Sequence, residues 1–339
     1  MAIKIRDCAE SLTPDRKWLV FDGPVDAIWI ENMNTVLDDN KKLCLNSGQI
    51  IKLKPTMTMM FEVEDLSQAS PATVSRCGMV LLEPQQLGHQ VLIQSYCNKI
   101  KEYRIDEKII NKVYNLMTYV CNLCMEYTRV NCKFPVPTGP NFLVHNFLHI
   151  FDHFVLEWGH EDSQGPNSNC DDICYNAIVF AGIWGIGGQI EEGTRPKFDK
   201  FFQQLIMGED VQDLYKIDIP RVTPMKVPNK VGGEVTSLFD LSFQKDAGSW
   251  LPWTKTVPTY IVPKDASYSE VIVPNVDSIR VQYLLKNLLS NKKHTLIVGS
   301  TGTGKSITII NELKNSFQNE DYMYLGLSFS AQTSANQTQ

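Results

Sequence analysis

An α/β protein carrying parts of a parallel sheet, a block of helices and a small β-rich connector is what the sequence predicts, and three observations predict it. Residues 18–22 (Trp-Leu-Val-Phe-Asp) are a short apolar run ending in a carboxylate, the pattern of a buried parallel strand with Asp22 at its carboxyl edge. Between residues 90 and 186 apolar side chains recur at three- and four-residue spacing, which is the period of helices packed on one another. Near the end, Gly299, Ser300, Thr301, Gly302, Thr303, Gly304, Lys305 and Ser306 fit G-x-x-x-x-G-K-[ST] at every fixed position.

That last stretch carries the strongest chemistry. The β-branched run 294–298 before it reads as a strand and residues 307–314 after it as a helix, so the context is strand, loop, helix. Glycines allow the backbone to curl with successive N–H groups pointing inward, and the helix N-terminus adds partial positive charge at the same place. In such a loop Lys305 reaches the β- and γ-phosphates of a nucleotide and Ser306 holds Mg²⁺. Residues 307–339 contain no second acidic strand to complete the site.

Composition narrows the class. The 339 residues are 43% hydrophobic and 21% charged, enough to bury the cores of about two domains. A net charge of -6 with dispersed Lys and Arg argues against a nucleic-acid partner. Residues 177–186, the longest apolar stretch, are too short and glycine-interrupted to span a bilayer, so no membrane partner is expected. The first residues lack an export signal, and nine cysteines fit free thiols in a reducing cytoplasm.

Taken in order, Asp22 ends its strand where a carboxylate can approach bound Mg²⁺, and Gly23, which cannot act as a base, follows with Pro24. Residues 48–53 and 57–63 read as two more strands, the second ending near Glu62. From Pro84 onward helices are expected at 90–104, 107–129, 140–158 and 171–186, with a polar loop at 159–169. A further helix starts at Arg195. Residues 209–262, rich in Pro, Gly and Val, carry two short strand patterns, 239–243 and 250–254. An amphipathic helix at 278–289 leads to the loop. The boundaries that follow are 1–84, 85–208, 209–262 and 263–339.

Two cysteine pairs, 121/124 and 170/174, and the histidines His145, His149 and His153 at four-residue spacing invite a metal reading. They sit in apolar helical patterns, where thiols and imidazoles are ordinarily packing residues.

The long stretches 25–45 and 65–80, the latter including Ser70-Pro71-Ala72-Thr73-Val74-Ser75-Arg76-Cys77-Gly78, resemble dynein heavy chains, and axonemal more than cytoplasmic ones. The match places the chain from the acidic strand of the second AAA+ module of the motor ring to just past the phosphate loop of the third. By this resemblance Arg76 is an arginine finger directed at a neighbouring module, Arg195 a lid arginine reaching the nucleotide, and Val273-Pro274 the segment flanking the adenine. ATP or ADP with Mg²⁺ are the implied cofactors, with Asp22 and Ser306 as metal ligands in two different modules. The implied setting is the cytoskeleton of a cilium or flagellum. The implied partners are neighbouring AAA+ modules, and, through a full-length chain, microtubules and dynein intermediate and light chains. Two other readings stay open at this point: a nucleotide-binding or assembly protein with no motor cycle, and an independent P-loop ATPase.

Overall fold

The computed structural model describes residues 2–45, 47–103, 105–159, 169–219, 237–261, 271–317, 322–330 and 332–338. These form two compact units, Met1–Glu83 and Pro84–Gln339. Residues 160–168 of the expected loop, residues 220–236 of the connector, and residues 262–270 lie outside the described residues.

The first unit is built on two parallel strands, β1 (Lys17–Asp22) and β4 (Met57–Glu62), paired from Lys17 opposite Met57 to Asp22 opposite Glu62. Between them in the chain lie the short helices α2 (Ala27–Glu31) and α3 (Asn34–Leu37) and an antiparallel hairpin of β2 (Lys42–Cys44) and β3 (Ile50–Lys52). Alternation decides the faces: Leu19 and Phe21 of β1 turn inward with Met57 and Met59 of β4. They meet helix α1 (Ala2–Glu10) through Ile5, and meet Met33, Val36 and Leu43. Phe21 stacks on Phe61 at 5.1 Å and on Trp29 at 5.9 Å. The opposite face of β1 leaves Trp18 and Val20 exposed.

The chain then turns into helix α4 (Pro71–Val74). Pro71 is at home there, since a first helical residue needs no N–H acceptor, and the Ser70 hydroxyl caps the turn at Thr73 N. Thr73 is buried and donates to Asn34 Oδ1 at 2.7 Å, tying α4 to α3. The apolar residues after Arg76, Met79, Val80, Leu81 and Leu82, are exposed and join no ladder among the described residues.

In the second unit, helices α5 (Pro84–Leu87), α6 (Gln90–Ile100), α7 (Glu107–Asn131), α8 (Pro140–Val155), α9 (Cys170–Ala181), α10 (Arg195–Ile206) and α11 (Val211–Tyr215) make a helical block. Helix α7 begins at an Asp106 cap that accepts from Lys108 N, and buries Ile110, Val113, Met117, Val120, Cys121 and Cys124 along one stripe. That stripe explains the cysteine pair: both thiols are core volume. Burial pushes Cys121 far above the ordinary thiol range, which leaves it without thiolate character.

After Ala181 the helix widens into a π turn, Gly182–Ile186. A Cβ on Gly185 would lie 2.6 Å from the Phe147 Cα, so here the backbones of α8 and the π turn touch, and a helix can come so close only without a side chain.

Besides α11, the described part of the connector holds an antiparallel hairpin, β5 (Leu241–Gln244) and β6 (Ser249–Pro252), whose Trp250 indole donates to Asn176 Oδ1 at 2.9 Å. Helix α12 (Val276–Ser290) is started by a reciprocal cap between Asn275 and Ser278. Its Tyr283 ring packs against Trp253 at 5.3 Å and Phe180 at 6.0 Å, so α12 rests on the helical block and the hairpin together. Helix α13 (Lys305–Glu312) runs on into a π turn, Leu313–Phe317, and α14 (Ala335–Thr338) is the last described element.

Candidate functional site

The site starts from the end of α12. Lys292 takes a left-handed conformation, φ 56°, while Lys293 N donates to Leu288 O at 2.9 Å, which stops the helix without a glycine. Residues 294–298 follow and, contrary to the expectation of a strand, pair with no strand among the described residues. A β-prone run becomes a strand only when a neighbour supplies the other half of each hydrogen bond, and here Leu296 and Val298 remain exposed. A cleft of about 600 Å³ separates this segment from Phe142, His149 and Trp184.

The loop itself has the shape its pattern requires. Gly302 and Gly304 hold φ of 82° and 77°, a left-handed backbone that other residues adopt only with strain. Thr303 Oγ1 donates to Ser300 O at 3.0 Å, and the Lys305 ammonium folds over the loop to Ser300 O and, at 3.1 Å, Thr303 Oγ1. The first helical bond of α13 is Thr308 N to Gly304 O at 2.9 Å, so the amides of Lys305, Ser306 and Ile307 have no acceptor within the helix. Three unpaired N–H groups, a helix N-terminus and an ammonium thus converge with no side-chain cap in between. The donor set is cationic and hydrogen-bond rich, which fits a polyphosphate; the exposed Ser306 hydroxyl beside it fits the accompanying Mg²⁺.

Asp22 and Arg76 belong to the first unit and the loop to the second. Asp22 is exposed at the carboxyl end of β1, directly opposite Glu62, and Gly23 N donates to Glu62 O at 3.2 Å. Two carboxylates side by side at one sheet edge suit a cation and repel phosphate. Arg76 sits exposed in the turn after α4, with its Nε on the Asp38 carboxylate and its guanidinium donating to Ala72 O at 2.8 Å. Asp38, at the end of α3, is a partner the sequence did not single out; Asp65, upstream of α4, instead accepts from Ser67 N.

Arg195 opens α10, stacks over the Phe239 ring at 5.2 Å and donates to Ile190 O at 3.1 Å. Burial pushes its basicity down. Val273 and Pro274 occupy the extended segment just before the Asn275 cap, with Val273 60% exposed and hence open to a ligand. The histidine stripe of α8 is partly buried: His145 and His149 lie 5.9 Å apart, and His153 packs edge-on against Phe154 and Tyr283. Burial, with Lys245 nearby, pushes His153 down to about 4.

A phosphate-type loop at the head of a helix, a helical lid, and a parallel strand pair ending in carboxylates define the AAA+ class of P-loop folds. Comparison with known sequences names the family. The model of the dynein heavy chain AAA lid domain matches residues 113–255, and that of the P-loop containing dynein motor region matches residues 260–339. The chain is 41% identical to dynein axonemal heavy chain 3 of Homo sapiens over 352 residues, covering 100% of this chain and 8% of that one. Dynein axonemal heavy chain 12 of Rattus norvegicus is 37% identical, covering 100% and 11%, and dynein axonemal heavy chain 1 of Mus musculus 36%, covering 99% and 8%. The chain belongs to the dynein heavy chains, and it spans about a tenth of the length of the curated relatives it matches.

Proposed function

We propose that this chain is the segment of an axonemal dynein heavy chain that joins the second AAA+ module of the motor ring to the third, binding ATP or ADP with Mg²⁺ and coupling the two. The observation that carries the reading is the loop 299–306: glycines in left-handed conformations, three open helix amides and Lys305 converge on one point. In this reading the backbone amides of residues 302–306 and the Lys305 ammonium hold the phosphates, Ser306 ligates Mg²⁺, and Val273 and Pro274 lie along the adenine. The metal supplies charge neutralisation of the phosphate oxygens. Asp22 serves a second metal site in the preceding module. Gly23 offers no side chain to orient a water there, so that module holds nucleotide without turning it over. Arg76 acts across a module junction and Arg195 from the lid.

The whole motor, in this proposal, is an ATP-driven machine moving toward microtubule minus ends within cilia or flagella, with intermediate and light chains as partners. The identities of 36–41% to axonemal heavy chains across nearly the whole chain support that setting over a cytoplasmic one. The test is titration of the chain with a fluorescent ATP analogue and Mg²⁺. Binding lost in Lys305→Ala, and with weakened Mg²⁺ dependence in Ser306→Ala, is the expected outcome; binding indifferent to Lys305→Ala rules the loop out.

A further inference from the structure

We propose that Asp152 is a positioning residue for the phosphate loop, anchoring the root of residues 294–306 to the helical lid. This rests on the reading that the loop binds nucleotide. Helix α8 is apolar along its inward face except at Asp152, whose side chain is 2% exposed. A carboxylate is that deeply buried only where cations and donors compensate for lost water. Three groups do so. Tyr96 of α6 donates to Oδ1 at 2.9 Å, while Lys99 of α6 and Lys293 approach Oδ2 at 3.8 Å and 3.6 Å.

Two of these partners belong to the lid, and the third does not. Lys293 is the first residue after the left-handed Lys292, and His294 begins the segment that ends in the loop. A lysine with φ of 56° persists only where its surroundings fix it, and the Asp152–Lys293 pair fixes the very next residue. Beyond it the segment loses the lid across the cleft and gains no strand partner among the described residues. The pair therefore sits where the rigid part ends, and a displacement of α8 is passed to the loop through Lys293. Arg280 on Asp240 at 2.5 Å holds the other end of α12 to the connector, Leu284 and Leu288 pack its last turns on the lid core, and Asp152 adds the one charged contact at the residue where the loop segment departs.

The test uses the 339-residue chain with nitroxide probes, introduced as bioorthogonal residues, at exposed Val130 on α7 and at exposed Lys314 beyond α13. Lys293→Met keeps the aliphatic stem and removes the charge; Asp152→Asn keeps an acceptor for Tyr96. Both are expected to broaden the interprobe distance distribution, whereas Lys293→Arg retains the narrow one and Lys99→Met, which breaks a contact internal to the lid, leaves it unchanged. Mg·ATP affinity is expected to fall about ten-fold in Lys293→Met. Should Asp152→Asn fail to fold, Lys293→Met decides, since Lys293 is itself partly exposed. An unchanged distribution in Lys293→Met, or equal broadening in Lys99→Met, overturns the proposal. A wild-type chain that binds no Mg·ATP overturns the nucleotide reading instead, and the distance measurement still decides the anchor.

Discussion

At the scale of single residues, Arg76 has two claims on its guanidinium. Within its own unit it is held by Asp38 and by Ala72 O, while a finger role requires it to reach a phosphoryl group elsewhere. An exposed ion pair is worth at most about 1 kcal/mol, so transfer from Asp38 to a transition state carrying more charge is favourable. In a complete heavy chain Arg76→Ala is expected to slow ATP turnover at least about a hundred-fold with nucleotide affinity nearly unchanged. Turnover and equilibrium binding measured side by side check this; an equal loss in both would make Arg76 a binding residue. His153 offers a stability test. Unfolded, it protonates near its ordinary value of about 6.5. Folded, it resists until about 4. Between those values the unfolded chain binds more protons, so acidification removes stability from the second unit, by roughly 3 kcal/mol when complete. Denaturant melts of wild type and His153→Gln from pH 7 to pH 4 should diverge, with the variant less pH-sensitive.

Elements show how much could be read beforehand. The helices at 107–129, 140–158 and 171–186 and the strand at 18–22 were legible because each has its own period or apolar run, and the structure extends or trims them by a few residues. The loop 299–306 was legible because its glycines and lysine are fixed by local backbone chemistry. Residues 79–82 and 294–298 have strand-like sequences and no strand, because pairing depends on a neighbour and not on the run itself. Asp38 and Asp152 were missed for a related reason: their partners are 38 residues away or spread over two elements, although an acid inside the apolar pattern of α8 was a usable signal. The π turn was half visible. Its glycines showed as interruptions of the apolar run 177–186, but not that Gly185 meets backbone. Gly185→Ala forces the Phe147 backbone to move and is expected to destabilise the second unit by about 1–3 kcal/mol. A thermal melt reads this as a drop of several degrees, while Gly193→Ala, where a Cβ meets nothing within 4 Å, should be silent.

The whole molecule divides its chemistry unevenly between its two units. The acidic strand end, Asp22, and the arginine, Arg76, lie in the first, and the phosphate loop lies in the second, on a segment docked to the lid. Phosphoryl transfer needs a phosphate cradle, a metal-holding acid, a water-positioning group and a charge-stabilising arginine at one place. In the proposed assignment Asp22 and Arg76 belong to the second module and the loop to the third, so they serve different nucleotides. Within residues 307–339 no acidic strand follows Ser306 to complete the loop's own site. The 339-residue chain is therefore expected to bind Mg·ATP weakly through residues 299–306 and not to hydrolyse it. Phosphate release followed over many turnovers should stay at the buffer rate in wild type and in Lys305→Ala alike, even where the wild type alone retains analogue binding. Hydrolysis present in the wild type and lost in Lys305→Ala would mean that groups described here as belonging to separate sites assemble into one, and the assignment of Asp22 and Arg76 to a different nucleotide would fall.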